Sequence, residues 1–453
     1  MHMPRKGQNC SADFDRNDRQ ATAQIRVVSD RDRGDKPMTR RWLILADDLT
    51  GAADSAIPFA RRGLASIVSW SPPPEMRPLA PVFSHNTDSR GLSADAAAAK
   101  HGHALKALLE PGMALFKKID STLRGQPAAE IGATMAHLKG FGRAFGILAP
   151  AFPATRRTTR DGRILVNGRP LEEAEVWKRD HSYESADLSR VLGSAGIATH
   201  LVPLRTIRTG QSELSAAFAR IAGHGDVVAI CDAETDDDLH RIADASLPLP
   251  PGAFLVGSAG LASALAALSP QVPLPAPSFR SSREGFLMVV GSLATASRKG
   301  ARKLVASGQV AYVPIPPETL LDGSSERSTI GNAVAALLDS GEDVLVEIQM
   351  DDNPTMTLGP SLVEGLAEAL APAASRMSAF AATGGETAAA LLSRFGVHGI
   401  RLVDEIEPGV ALGQALGALS CPVITKAGAF GDDDSLGRIA GRLRDIRTKG
   451  NPA

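Results

Sequence analysis

Short apolar runs alternate along the chain with longer stretches whose apolar positions recur every three or four residues. The first pattern suits buried strands and the second amphipathic helices. In the first half the strand-like runs fall at 42–46, 66–70, 114–118, 144–149, 199–203, 227–230 and 253–256, and the helical patterns at 52–62, 94–109, 128–138, 212–221 and 259–268. Ser93 is placed to cap the second of these helices, and Pro127 suits the first turn of the third. Then "SPQVPLPAPSFRSSREG", residues 269–285, has four prolines and no period, and reads as an extended linker. The alternation resumes with strands at 286–290, 311–315, 344–348, 379–382, 400–403 and 423–425 and helices at 296–306, 328–339, 361–370 and 387–394. The expected fold class is α/β: two α/β domains in series, 40–268 and 286–446, each with a mostly parallel sheet. Open parallel sheets bind ligands beyond the carboxyl ends of their strands, so the strand-to-helix junctions are where chemistry is sought.

Composition narrows the function classes. In 453 residues, 49 Lys and Arg nearly cancel 50 Asp and Glu, which gives no general reason to expect nucleic-acid or membrane partners. Three cysteines, Cys10, Cys231 and Cys421, lie too far apart for a disulfide framework or a zinc spacing. His101 and His103 are two apart in a helical pattern and so point to different faces, which argues against a metal pair. No apolar run reaches the ~18 residues of a membrane span and no signal peptide precedes the first strand, so a cytoplasmic protein is expected. Residues 1–39 are charged, aperiodic and poor in apolar side chains; they are expected to be a disordered tail or a mis-assigned start, with Met38 as the initiator.

Four junctions carry candidate chemistry. In "ILADDLTGAADSA" a strand ends in Asp47 and Asp48 just before a helix. One carboxylate there is explained as a cap; two at a buried strand end must be solvated, paired or ligand-bound to escape the desolvation cost. "HNTDSRGLS" carries Arg90 in a loop, and "FKKIDSTLRG" crowds Lys117, Lys118, Asp120, Ser121, Thr122 and Arg124 after another strand. Cations beside hydroxyl donors suit a ligand with a carboxylate and several hydroxyls, although a solvated loop has the same composition. In the second half, "AFAATGGETAAALLSRFG" runs from strand through Gly384-Gly385 and Glu386-Thr387 into a helix, where backbone N–H groups can approach a phosphate. "VVGSLATASRKG" adds Gly291 and Ser292, and "TKAGAFGDDDSL" adds Gly428 and Gly431. There is neither a Walker A motif nor a G-x-G-x-x-G fingerprint, which argues against a P-loop enzyme and a dinucleotide-dependent dehydrogenase.

Taken together, "ADDLTGAADS", "NTDSR", "KKIDSTLRG", "LAPAFPATRRTTRDGRILVNGRPL", "GSLATASRKG", "ATGGETAAALL" and "KAGAFGDDDSL" resemble the four-carbon acid sugar kinases over residues 42–443. The resemblance implies a sugar-acid-binding domain at 40–268, a nucleotide-binding domain at 286–446, and an active site in the cleft between them. It implies transfer of the ATP γ-phosphoryl group, with Mg2+, to the terminal hydroxyl of threonate or erythronate in carbohydrate-acid catabolism. A 3-oxo-tetronate or branched 3-oxo acid is the alternative substrate, and a non-catalytic sugar-acid sensor the alternative from another class. By position, the substrate-binding residues are Asp48, Arg90, Lys118, Ile119, Asp120 and Ser121, with Arg90 and Lys118 gripping the carboxylate. The nucleotide-binding residues are Ser292, Gly384, Gly385, Glu386, Thr387 and Gly428. One of Asp47 and Asp48 is the expected catalytic base, since phosphoryl transfer needs a carboxylate to orient the hydroxyl and take its proton; the metal ligands stay unassigned. The expected partners are the small acid and ATP, with no nucleic acid and no membrane, and a homodimer is left open. The stretch "AEVWKRDHSYESADL" and the arginine-rich loop Arg156 to Arg163 depart from the family pattern, both in the sugar-binding half, so the reaction type carries over further than the substrate.

Overall fold

The computed structural model describes residues 40–71, 80–272, 278–292, 294–321, 325–349, 359–428 and 430–450. The expected tail at 1–39 and residues 273–277 of the expected linker lie outside the described residues. No helix among the described residues is long and apolar enough to cross a membrane.

The N-terminal half supplies β1 (Arg41–Ala46), β2 (Ser66–Ser69), β3 (Val82–Asn86), β4 (Met113–Lys118) and β5 (Phe145–Ala149). The short strands β6 (Arg157–Arg160), β7 (Arg163–Val166) and β8 (Arg169–Pro170) form a separate antiparallel sheet, and β9 (Thr199–Val202), β10 (Val227–Cys231) and β11 (Ala253–Gly257) complete this half. The C-terminal half supplies β12 (Leu287–Val290), β13 (Ala311–Ile315), β14 (Val344–Ile348), β15 (Phe380–Thr383), β16 (Val397–Glu407), β17 (Val410–Gly417) and β18 (Pro422–Lys426). Along β1 the side chains alternate between two cores, Trp42 and Ile44 in one and Leu43 and Leu45 in the other. That is what a strand covered by helices on both faces requires, and it is why the run reads as continuously apolar.

All strands outside the small sheet are hydrogen bonded in one order, β13-β14-β12-β15-β18-β17-β16-β2-β3-β1-β4-β11-β5-β10-β9. The two mostly parallel sheets therefore meet edge to edge. The seam is the antiparallel pairing of β16 with β2, in which Gly399 faces Ser69, Ile400 faces Val68 and Arg401 faces Ile67. The pairings of β16 with β17 and of β17 with β18 are also antiparallel, and all others in this sheet are parallel. One hydrophobic core runs along one face across both halves, from Trp42 and Ile44 through Val68 and Ile400 to Phe380 and Val289. On the other face each half keeps its own core, around Leu45 and Phe254 in one and around Met288 and Ile424 in the other.

Several elements escaped the apolar pattern, among them the small β6–β8 sheet and the helices Asp236–Ser246 and Ser435–Lys449; for two the reason is identifiable. Strand β3 carries Ser84 and His85 within its run, yet lies in mid-sheet between β1 and β2, where the Ser84 hydroxyl donates to the Ala52 carbonyl at 2.8 Å. The β16–β17 hairpin is glycine-rich, turns at Pro408-Gly409 with Gly409 at φ +79°, and is far longer than the expected strand at 400–403. By contrast Ser93 caps its helix, accepting from the Ala96 N–H at 3.4 Å, and Pro127 opens the helix Pro127–Leu138.

The seam makes a prediction. Ile400 is 2% exposed in the core shared by both halves. Ile400→Ala is expected to cost ~2–5 kcal/mol and, because both halves share that core, to lower one calorimetric transition as a whole. Two separated transitions in the variant would show that the halves melt independently.

Candidate active site

The acidic pair sits where β1 ends, and the chain around it is tied down by its own backbone. Thr87 N–H donates to the Ala46 carbonyl at 2.8 Å, and the N–H groups of Ser89 and Arg90 donate to the Asp47 carbonyl at 3.1 and 3.3 Å. Asp88 permits this by adopting φ +49°, with its N–H held by Asn86 Oδ1 at 2.8 Å, a local side-chain turn. The loop after β3 thereby delivers Arg90 onto both carboxylates. Its Nε and Nη2 donate to Asp47 at 2.7 and 3.0 Å, and Nη2 also donates to Asp48 Oδ1 at 2.8 Å. Asp48 is at the same time the N-cap of the helix Leu49–Arg61, accepting from the Gly51 N–H at 3.0 Å and from the Thr50 hydroxyl at 2.6 Å. Burial works against the charge of Asp47, but the adjacent Arg90 overrides it and holds the carboxyl below its ordinary range.

The lysines after Phe116 do not act together. Successive side chains of a strand point to opposite faces. Lys117 forms a buried ion pair with Glu130 at 2.7 Å, beneath Ser89, which donates to the same carboxylate. Lys118 turns the other way, toward the helix Leu49–Arg61: a Cβ on Gly51 would lie 2.6 Å from its Nζ. Among the described residues Lys118 has neither a hydrogen-bond partner nor a carboxylate within ion-pair distance. Ile119 is buried, with its N–H on the Gly257 carbonyl at 2.8 Å. Asp120 takes Arg124 through Nε at 3.1 Å and Nη2 at 2.8 Å, and Arg124, with Arg90 and Lys118 nearby, holds its pKa well below the carboxylate range despite burial. The loop closes at Gly125, where φ is +81° and a Cβ would stand 2.8 Å from Asp47 Oδ2, so only glycine fits.

The second set of junctions converges in the same way. The Ser292 N–H donates to Thr383 Oγ1 at 3.2 Å, the Gly384 N–H donates to the Lys426 carbonyl at 2.9 Å, and a Cβ on Gly428 would meet Ser292 Oγ at 2.3 Å. Gly384 has φ +92°, a conformation that presents the backbone of the Gly-Gly turn at the start of the helix Gly385–Arg394. Thr387 is buried in the first turn of that helix.

The two sets meet. A Cβ on Gly385 would lie 3.4 Å from the Thr50 backbone nitrogen and 3.6 Å from Asp48 Oδ2. Burial raises the Glu386 pKa, and its charged neighbours Asp88, Arg90 and Asp48 all come from the first half. Three successive antiparallel pairings reverse the strand direction between the halves. Six strand steps separate β15 from β1, over which the twist common to β-sheets accumulates. Beside the contact lies a cleft of about 1250 Å3, lined by Asn86, Thr87 and Asp88 from one half and Glu386, Ala389 and Arg394 from the other.

Comparison with known proteins decides what kind of site this is. A sugar-binding N-terminal domain matches residues 42–265 and a nucleotide-binding C-terminal domain matches residues 287–436. A D-threonate kinase of Cupriavidus necator is 40% identical over 87% of this chain and 96% of its own length. A second D-threonate kinase, of Bordetella bronchiseptica, is 33% identical over 89% of this chain and 98% of its own. The chain belongs to the four-carbon acid sugar kinase family. It is a phosphotransferase acting on an alcohol group. A D-erythronate kinase of Heliobacterium modesticaldum, 28% identical over 87% of this chain and 94% of its own, is a more distant relative. A solved Salmonella typhimurium protein, 22% identical with TM-score 0.72 over 88% of this chain and 98% of that one, shares the fold.

Three further residues beside the candidate site were not singled out from the sequence. Asp54 lies four residues after Thr50 in the helix Leu49–Arg61, hence on the same side of it; burial raises its carboxyl pKa to about 7, and Lys118 is the main cation opposing that rise. Lys426, at the end of β18, is buried with its Nζ on the Ser297 hydroxyl and the Ala427 and Phe430 carbonyls at 3.2, 3.3 and 2.6 Å. A lysine closing an apolar strand beside a glycine loop was the available signal. Phe430 touches the first half, its ring centroid 6.4 Å from that of Phe152.

Asp54 sets a pH dependence. Unfolded, the carboxyl ionises near its ordinary 3.8; folded, near 7. Between those values the native state holds a proton that the unfolded chain has lost, so the contribution of this group to stability falls as pH rises to about 7 and then levels. Asp54→Asn resembles the protonated form. Its melting temperature is expected to gain on the wild type steadily from pH 5 to 7.5, and a difference independent of pH would refute an ionisation near neutrality.

Proposed function

We propose that this kinase transfers the γ-phosphoryl group of ATP to the terminal hydroxyl of D-threonate. The observation that carries the reading is the contact of Gly385 with Thr50 and Asp48, which brings the phosphate-binding type of turn against the acidic end of the sugar-acid half. The D-threonate kinases among its relatives, at 40%, 31% and 33% identity, support D-threonate over the erythronate and 3-oxo alternatives.

Roles follow from what each side chain has left to offer. Arg90 spends Nε and Nη2 on the acidic pair, and its Nη1 has no partner among the described residues. With Lys118 it is the proposed grip on the carboxylate, and Ser121 with the Ile119–Asp120 backbone completes the acceptor pocket. Asp47 is 3% exposed and clamped through both oxygens, so its charge is committed to Arg90. Asp48 is half-buried and adjoins Gly385. It is the proposed base, taking the proton of the hydroxyl as its oxygen attacks the γ-phosphorus. Ser292, Gly384 to Thr387 and Gly428 are the proposed nucleotide cradle. Among the described residues no three His, Cys, Asp or Glu side chains are grouped to hold a metal ion. A magnesium ion would thus be carried by ATP phosphate oxygens and water, neutralising phosphate charge, as this cation commonly is.

The test is ADP release from ATP and magnesium against D-threonate, L-threonate, D-erythronate and 3-oxo-tetronate. D-threonate is expected to give the highest kcat/KM. A tenfold preference for another acid would overturn the substrate, and no stimulation by any acid with ATP still bound would favour a sensor. Asp48→Asn keeps an oxygen for the helix cap and removes the base, so turnover should fall ~10²- to 10⁴-fold with D-threonate affinity nearly kept. Lost binding with residual turnover at saturation would assign Asp48 to the substrate grip instead.

A further inference from the structure

The positive charges around the acceptor loop are largely committed. Arg90 is held by Asp47 and Asp48, Arg124 by Asp120, and Lys117 by Glu130. Arg157 is different. It is half-buried at the start of β6, and among the described residues no carboxylate lies within ion-pair distance of it. Its Nη1 donates to the Ser121 hydroxyl at 2.7 Å, and its guanidinium carbon stands 5.5 Å from the ring centroid of Phe430. Ser121 belongs to the acceptor loop of the first half; Phe430 belongs to the Gly428–Gly431 loop of the second, whose carbonyl oxygen at Phe430 is held by the buried Lys426. One guanidinium thus spans the loop that would hold the acid and the loop that would hold the nucleotide.

The backbone beneath it is fixed. Phe152 and Arg157 exchange hydrogen bonds at 2.7 and 3.2 Å, and Arg156 turns the chain between them with φ +57°. Thr159 and Ala233 exchange two more at 2.8 and 3.0 Å. The buried Asp232 accepts from the N–H groups of Asp161 and Gly162 at the hairpin tip, both at 2.9 Å. An arginine on a rigid hairpin, with Nε and Nη2 unpartnered among the described residues, is arranged to meet an anion without reorganising. Burial disfavours its charge, with Asp120 the main group opposing that, so an anionic partner would relieve a cost the apo site carries.

We propose that Arg157 is a catalytic residue whose free Nε and Nη2 donate to the γ-phosphoryl oxygens of ATP, bridging acceptor and nucleotide loops during transfer. This rests on the kinase reading. In the step itself the acid's terminal hydroxyl oxygen forms a bond to the γ-phosphorus and its proton passes to Asp48. The bond from the γ-phosphorus to the β,γ-bridging oxygen breaks, and ADP leaves with the electron pair. Arg157 forms no covalent bond; its charge offsets that spread over the three γ-oxygens in the transition state.

The experiment compares binding of ADP, the non-hydrolysable analogue AMP-PNP and D-threonate to the wild type, Arg157→Met and Arg157→Lys by titration calorimetry, together with turnover. Arg157→Met is expected to weaken AMP-PNP by roughly 10- to 150-fold, to leave ADP and D-threonate within about twofold, and to cut kcat more than any KM. Arg157→Lys, which keeps charge but not the planar fork, should fall between. Equal loss for ADP and AMP-PNP would overturn the proposal in favour of a structural prop for the nucleotide loop. Loss confined to D-threonate would overturn it in favour of a carboxylate grip, and unchanged AMP-PNP affinity and turnover would overturn it outright. A wild type that binds neither nucleotide would instead sink the kinase reading, a failure visible before any variant is made.

Discussion

The site depends on how two adjacent carboxylates are kept charged at a buried strand end. Alone they would repel each other and lose their hydration, a cost of several kcal/mol per ion. Arg90 resolves both problems, with two bonds to Asp47 and one to Asp48. The guanidinium can do so because its fork is planar and presents several donors in fixed directions. The remaining acceptor capacity of Asp48 goes to the first turn of the helix Leu49–Arg61, whose N-terminus favours negative charge. The clamp therefore orders the loop after β3, the start of that helix and the loop after β4 together, since Gly125 packs on Asp47.

That helix is also the link between halves. It packs on β2 and β3 of its own half, on β16 and β17 of the other, and on the helix Gly385–Arg394. Its N-terminus touches the Gly-Gly turn, while the β2–β16 seam and the shared core hold the sheets beneath it. A kinase must exclude water and align two substrates in line, which is mostly a matter of positioning. Here the two halves approach most closely through backbone, at Gly385 and Thr50.

Charge in the site is layered. Lys117 and Glu130 neutralise each other under the Arg90 loop, and Arg124 and Asp120 do so at its side. Lys118, which precedes the acceptor loop, and Arg157, bonded to Ser121 within it, are left without a carboxylate among the described residues. A polyanionic nucleotide tail and a carboxylate substrate are the kind of ligands that such a distribution accommodates.

Much of this was legible in the chain. Alternating apolar runs determined the α/β class, and the junction motifs determined the family, because strand ends, glycine turns and helix caps are local and leave local signatures. The tertiary structure decided the rest. Lys117 and Lys118 are neighbours in sequence but face opposite sides of β4, and only packing shows that one is spent on Glu130. Asp54 looks like an ordinary helix residue until burial near Lys118 moves its ionisation toward neutrality. Arg157 and Phe430 are 273 positions apart in number, and their contact depends on how the C-terminal half docks on the other. The joining of two sheets through β2 and β16 was equally hidden, since a short edge strand reads the same whether its free side meets water or another strand. Pairing partners distant in sequence are chosen by the geometry of the whole chain, and no periodicity within either strand records the choice.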